Sequence, residues 1–148
     1  MSRTRLPRTG SYILVLIAVG LAVYANSLQG GHFILDDEPS IVNNYDIREI
    51  WPLWRDADLT SNPPVNNRPV VRLSLALNYA VGELDIYGYR LFNLVIHLCC
   101  AIALFAVVRE ALYSRRLVGR YGEVADGLAC AVVMIWLVHP LQTQVVNH

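Results

Sequence analysis

Three consecutive acids, Asp36, Asp37 and Glu38, close the stretch YANSLQGGHFILDDEPS, which runs from Tyr24 to Ser40. Neighbouring carboxylates suit general acid–base chemistry or the binding of a hard cation. Arg68 and Arg72 are four residues apart, and their guanidinium groups are forked donors that match phosphate or carboxylate. Asn93 and His97 are again four apart, inside the otherwise apolar run LFNLVIHLCCAIALFAVV. His139 stands before Pro140, followed by Gln142 and Gln144. Such a set could move a proton and hold an anionic group if one surface collected it. Two adjacent acids without further spaced ligands do not define a metal site, so a divalent cation on Asp36 and Asp37 is an option and no metal ligand is assigned.

The elements that must do the collecting are membrane helices. The chain has 148 residues, 55% of them hydrophobic and only 16% charged, with a mean hydropathy of +0.38. Charge is low and apolar content high against soluble proteins, and the apolar residues lie in long runs. Residues 1–10 carry Arg3, Arg5 and Arg8 and no acid, and an apolar run follows over 11–28. A basic flank stays cytoplasmic, so the far end of this first span emerges outside, where Asp36 and Asp37 follow. A cleaved signal peptide has the same basic start and apolar core, and would leave the acids on the same side. The second span is 91–108, running inward, and the third is 127–140, running outward to His139. Between them, 109–126 carries Arg109, Arg115, Arg116 and Arg120 against three acids, the bias of a cytoplasmic loop. The expected fold is therefore an all-α membrane protein with about three transmembrane helices. Its first loop, 29–88, is long, helical and extracytoplasmic, and 141–148 lies outside again.

That loop holds nine acids and four arginines. It is too long to be structureless in a compact unit. One helix is expected from Pro39 to about Trp54, with Ile47, Ile50, Trp51 and Trp54 on one face in the headgroup zone. TSNPPVNN, residues 60–67, breaks the chain. A second helix is expected over 69–81, with Pro69 at its first position. Val70, Leu73, Leu77 and Val81 line one of its faces, and Arg68 and Arg72 share another. All 12 basic residues are arginine and the net charge is zero, so no basic excess points to nucleic acid. Cys99, Cys100 and Cys130 lie inside apolar runs, without zinc spacing, and read as small membrane-buried residues. The last residues, HPLQTQVVNH, carry no helix stop, and a longer protein is expected.

Each polar residue also has a purely structural reading. Asp37 can cap a helix that starts near Pro39. Arg68 and Arg72 can be a solvated face or contact lipid headgroups. Asn93 and His97 can hydrogen-bond between helices. His139 can be an interfacial helix end.

The ordered segments YANSLQGGHFILDDEPSIVNN, NRPVVRLSLALNYAVGELDIYGYRLFNLVIH and HPLQTQVV resemble the membrane O-mannosyltransferases that carry tetratricopeptide repeats, and their bacterial relatives. These belong to the GT-C glycosyltransferase fold, of which this chain would be part. The resemblance covers about residues 12–148 and implies a polytopic enzyme of the bacterial inner membrane or endoplasmic reticulum. Its donor would be a polyprenyl- or dolichyl-phosphate-linked sugar, plausibly mannose. The acceptor would be a hydroxyl on a protein or glycan, reached on the extracytoplasmic or luminal face with inversion. By the same resemblance Asp36 maps to the catalytic base, with Asp37 beside it. Arg68, Arg72, Asn93, His97 and His139 would bind or orient the phosphate and sugar. Two positions depart from the pattern: Arg90 stands where relatives often have His, and Gln144 where they often have Glu. With the repeats and later helices absent, the fragment alone is expected to be inactive.

Two other functions fit the same topology. A non-catalytic membrane subunit or scaffold would use the outer loop to dock a partner, and would tolerate loss of Asp36. A transporter would line a path with Asn93, His97 and His139, but the run CCAIALFAVV beyond His97 offers no polar continuation.

Overall fold

The computed structural model describes residues 6–28, 38–50 and 68–143. Asp36 and Asp37, the two Trp of the first expected loop helix and Gln144 lie outside the described residues. Among the described residues every element is helical. Helix α1 spans Leu6–Tyr24 and runs into a 3-10 turn, Ala25–Leu28. A π-helical turn, Glu38–Val42, and a 3-10 turn, Tyr45–Arg48, follow. Then come α2, Pro69–Gly82; α3, Ile86–Leu112; the single turn α4, Val118–Tyr121; and α5, Ala125–Leu137. The chain divides into two compact units, residues 1–27 with 93–147, and residues 28–92.

Two helices are long and apolar enough to cross a membrane: Thr9–Leu28, with mean hydropathy 1.9, and Ile86–Leu112, with mean hydropathy 2.6. Both were expected, but α3 starts earlier than the apolar run alone indicates. Asp85 accepts a hydrogen bond on Oδ1 from the Tyr87 backbone N–H at 3.1 Å, which caps the helix five residues ahead of Leu91. The third expected span is shorter than a crossing needs. Helix α5 has 13 residues, about 20 Å of rise against about 30 Å of hydrocarbon. Pro140 follows it closely, and a turn at 122–124 precedes it.

In the first unit, α5 buries one stripe, Ala125, Ala129, Val133 and Leu137, with Cys130 beside it. These meet Leu16 of α1 and Ala101 and Phe105 of α3. Lipid tails supply no hydrophobic drive for helix association, so close packing of small residues does the work. Gly20 shows why: a Cβ built there would lie 2.5 Å from Leu98 Cδ2. Contacts also fix the directions. Tyr12 lies near Phe105, with ring centroids 6.4 Å apart, and near Gly127, while Gly20 lies against Leu98 and Leu137. Helices α1 and α5 therefore run parallel, and α3 runs antiparallel to both. The surface of this unit is also apolar, with Leu14, Val95, Val107 and Ile135 exposed, as expected for helices bathed in lipid.

At one end of this unit Arg109 Nε donates to Asp126 Oδ1 at 2.8 Å, and the Tyr113 hydroxyl donates to the same oxygen at 3.1 Å. Arg109 sits in the last turn of α3 and Asp126 in the first turn of α5. Each charge therefore opposes the partial charge of its own helix end while pairing with the other. Cys130 is buried among the helices of this unit, and Cys99 and Cys100 are exposed on the surface of α3.

The second unit has its own small core of Ile41, Ile47, Ala76 and Tyr89, with Leu75 and Tyr79 packed on it. The helix expected from Pro39 is instead two separate turns as far as Arg48. Asn44 is buried and donates from Nδ2 to the Ser40 carbonyl at 3.1 Å, a local bond that competes with continuing the helix. Helix α2 forms where expected, with Pro69 at its start. Its last turn ends at Glu83, whose backbone N–H donates to the Tyr79 carbonyl at 2.7 Å with φ at 53°. The Glu83 carbonyl then accepts from the Tyr89 hydroxyl at 2.9 Å, tying the α2–α3 turn to the first turns of α3.

Candidate functional site

The end of the first unit opposite Arg109 and Asp126 gathers Tyr24, His97, Trp136, Leu137 and His139. The backbone carbonyls of a helix's last turn lack intrahelical donors. At α5 the Leu137 carbonyl accepts from the Tyr24 hydroxyl at 2.9 Å, across 113 residues of sequence. His97 Nε2 approaches the same oxygen at 3.5 Å, a long contact in which the Nε2–H tautomer donates. The His97 ring stacks on Trp136 at 4.8 Å and meets Tyr24 edge-on at 5.4 Å. It is 2% exposed. His97 therefore joins α1, α3 and α5 at one point, the interhelical duty its position in an apolar run allows.

His139 emerges two residues beyond this joint and is exposed. Its Nδ1 accepts from the Leu141 backbone N–H at 3.2 Å, which leaves the rest of the ring facing outward from the helix end. Asn93 is half-buried on α3, one turn before His97, and is engaged in an interaction. The structure thus places His97 and His139 at the same end of one unit.

The two arginines lie in the other unit and differ in surroundings. Arg68 is exposed at the residue before α2. Arg72 is 6% exposed, engaged, and on the buried side of α2 with Ala76. The shared face expected from their spacing is not formed, because Arg68 sits outside the helix proper. Arg90, singled out in the sequence only as a departure, is a second buried and engaged arginine at the start of α3. Among the described residues no group of three or more His, Cys, Asp or Glu side chains could hold a metal ion.

Sequence reasoning did not assign Tyr24, Trp136 or the Leu137 carbonyl to the site. The available signal was two aromatic residues near the same ends of their apolar runs, where tyrosine and tryptophan combine an apolar ring with a polar tip.

Comparison with known proteins bears on what this end does. Protein O-mannosyl-transferase Tmtc1 of Drosophila melanogaster is 31% identical over 137 residues, 87% of this chain. Protein O-mannosyl-transferase TMTC2 of Mus musculus is 31% identical over 141 residues, 90% of it. A protein O-mannosyl-transferase of Caenorhabditis elegans is 26% identical over 144 residues, again 90%. The chain is a relative of the protein O-mannosyl-transferases. It spans only a fraction of their length: 15% of the fly and mouse proteins and 19% of the nematode one. No family model and no solved structure matches it.

Proposed function

We propose that this chain is part of a membrane glycosyltransferase of GT-C architecture, in which α1 and α3 cross the bilayer and α5 packs against them. It would transfer mannose from a polyprenyl- or dolichyl-phosphate donor to a hydroxyl acceptor on the extracytoplasmic or luminal face. The observation that carries the reading is relatedness over nine-tenths of the chain to proteins named as protein O-mannosyl-transferases. The helix directions support it: the end of α1, which leads toward Asp36, lies with His97 and the end of α5 that presents His139.

In this reading the Asp36 carboxylate takes the proton of the acceptor hydroxyl. The freed oxygen forms its bond to the anomeric carbon as the carbon–oxygen bond to phosphate breaks, with inversion. Asp37 holds or orients the acceptor. The leaving lipid phosphate is already acidic and needs charge stabilisation rather than a proton. Exposed Arg68 is the forked donor for it, with Arg72 and Asn93 as further polar partners. His139 is the imidazole available to phosphate or sugar. His97 acts as a positioning residue, since its ring is occupied in holding the end of α5 from which His139 projects.

The test is Asp36→Asn in the full-length parent, assayed for mannose transfer from the lipid-phosphate donor. Loss of a positioned general base removes about 10²–10⁴-fold of rate. Transfer at a near wild-type rate in a folded protein would exclude Asp36 as the base.

A further inference from the structure

Positive charge collects on the turn between α3 and α5. Residues 109–126 hold four arginines and three acids. Two of those acids meet one arginine: Arg109 donates from Nε to Asp126 Oδ1 at 2.8 Å and from Nη1 to Glu110 Oε1 at 3.2 Å. Among the described residues Arg115 and Arg116 have no carboxylate partner, and Arg120 has the Tyr121 ring, whose centroid is 5.3 Å from its guanidinium carbon. All three arginines are exposed, and Glu123 is the remaining acid of the segment.

We infer that this turn is a docking surface for the headgroups of anionic phospholipid, with Arg115, Arg116 and Arg120 as the donors. The inference rests on the proposed crossing of the bilayer by α3. Three observations select a lipid surface over a soluble anion. First, the turn is held at the end of that helix. Leu112 closes α3 and Ala125 opens α5, and Asp126 Oδ1 ties the two ends by accepting from Arg109 and from the Tyr113 hydroxyl. Between them the backbone bonds to itself: the Val118 N–H donates to the Ser114 carbonyl and the Tyr121 N–H to the Leu117 carbonyl, each at 2.9 Å. Arg109 is also the first charged residue after the apolar run of α3, and Val107 just before it is 66% exposed. The hydrocarbon border therefore falls near Arg109, and the arginines beyond it reach the headgroup layer.

Second, exposed apolar side chains stand among the arginines: Leu117, Val118 and Val124. A soluble polyanion leaves these in water, whereas a bilayer interface takes up the apolar groups and the charges together. Third, the donors are guanidinium forks, which pair with two phosphate oxygens at once. The backbone bonds of the turn fix its shape before lipid arrives, so less freedom is lost on binding. In the proposed orientation the turn faces the cytoplasmic leaflet, where anionic lipid gives a negative surface potential.

The test compares the whole chain with its Arg115→Gln/Arg116→Gln/Arg120→Gln variant in phosphatidylcholine vesicles. Each sample carries a trace of phosphatidylserine or phosphatidylcholine spin-labelled on an acyl chain, and the motionally restricted part of the spectrum gives the relative association of the two lipids. Circular dichroism checks that both chains keep their helix content, and resistance to alkaline carbonate checks that both stay inserted. The parent is expected to prefer phosphatidylserine, and the variant to lose about fivefold of that preference, the weight of one surface arginine per headgroup. The parent's own preference should fall in about 1 M salt, where the screening length is about 3 Å. Equal preference in parent and variant with both inserted, or a parent preference indifferent to salt, would overturn the proposal alone. Extraction of the parent by carbonate would overturn the crossing of α3 and the proposal with it. A parent without lipid preference that binds a fluorescent oligonucleotide, when the variant does not, would assign the turn to nucleic acid and also overturn it.

Discussion

Tyr24→Phe isolates the hydrogen bond that joins α1 to the end of α5. The change removes one oxygen and no apolar volume, so packing against His97 survives. The Leu137 carbonyl loses its 2.9 Å donor and keeps only the 3.5 Å approach of His97 Nε2. A buried hydrogen bond contributes about 1 kcal/mol net, and interhelical polar pairs in membranes average about 0.6. An orphaned acceptor costs about 1–3 kcal/mol, which the long histidine contact offsets in part. The expected loss is about 1 kcal/mol, roughly fivefold in the ratio of folded to unfolded protein. The partner variant His97→Phe keeps an aromatic ring between Tyr24 and Trp136 and removes the second donor. Because both donors share one oxygen, the double variant should lose more than the two single losses combined, by about 0.5–1 kcal/mol. The assay is reversible unfolding in mixed detergent micelles, followed by helix content and by tryptophan fluorescence, with Trp51 and Trp54 replaced by phenylalanine so that Trp136 alone reports. A Tyr24→Phe chain as stable as the parent, with a cycle that closes additively, would refute the shared-carbonyl joint.

Gly20→Ala should destabilise by about 1 kcal/mol, since the obstructing atom is the movable end of Leu98, while Gly20→Leu should cost about 3 kcal/mol or prevent association of the helices. The same unfolding titration checks both. Asp126→Asn should cost about 1–2 kcal/mol, because it removes the charge opposite Arg109 and weakens the Tyr113 bond where both partners are largely buried. Hydrogen exchange should quicken at the first turn of α5 and leave the Tyr24–His97 end unchanged.

The two long apolar helices were legible because a crossing helix needs only length and hydropathy, which α1 and α3 carry in their sequences. Helix α2 was legible from Pro69, whose fixed φ suits a first helical position. The true start of α3 was encoded too, in Asp85 as a cap, but Tyr87, Gly88 and Arg90 dilute the apolar signal there. Other features were not local properties of the chain. Asn44 turning back to Ser40 goes with the burial of its side chain, which tertiary packing decides. That Arg72 rather than the valine face of α2 is buried depends on which side meets those turns. The spacing of Asn93 and His97 placed both on one side of α3, but only the packing of three helices shows His97 closing on the Leu137 carbonyl.

Helix directions put residues 24, 97 and 139 at one end and residues 109 and 126 at the other, and the proposed chemistry requires position 36 to share the first end. Single cysteines at 36, 139 and 116 in an otherwise cysteine-free chain, exposed to a membrane-impermeant maleimide on intact cells, report this directly. Positions 36 and 139 are expected to label from outside, and 116 only after the membrane is opened. Label reaching 116 from outside, or reaching only one of 36 and 139, would contradict the shared surface on which the proposed transfer depends.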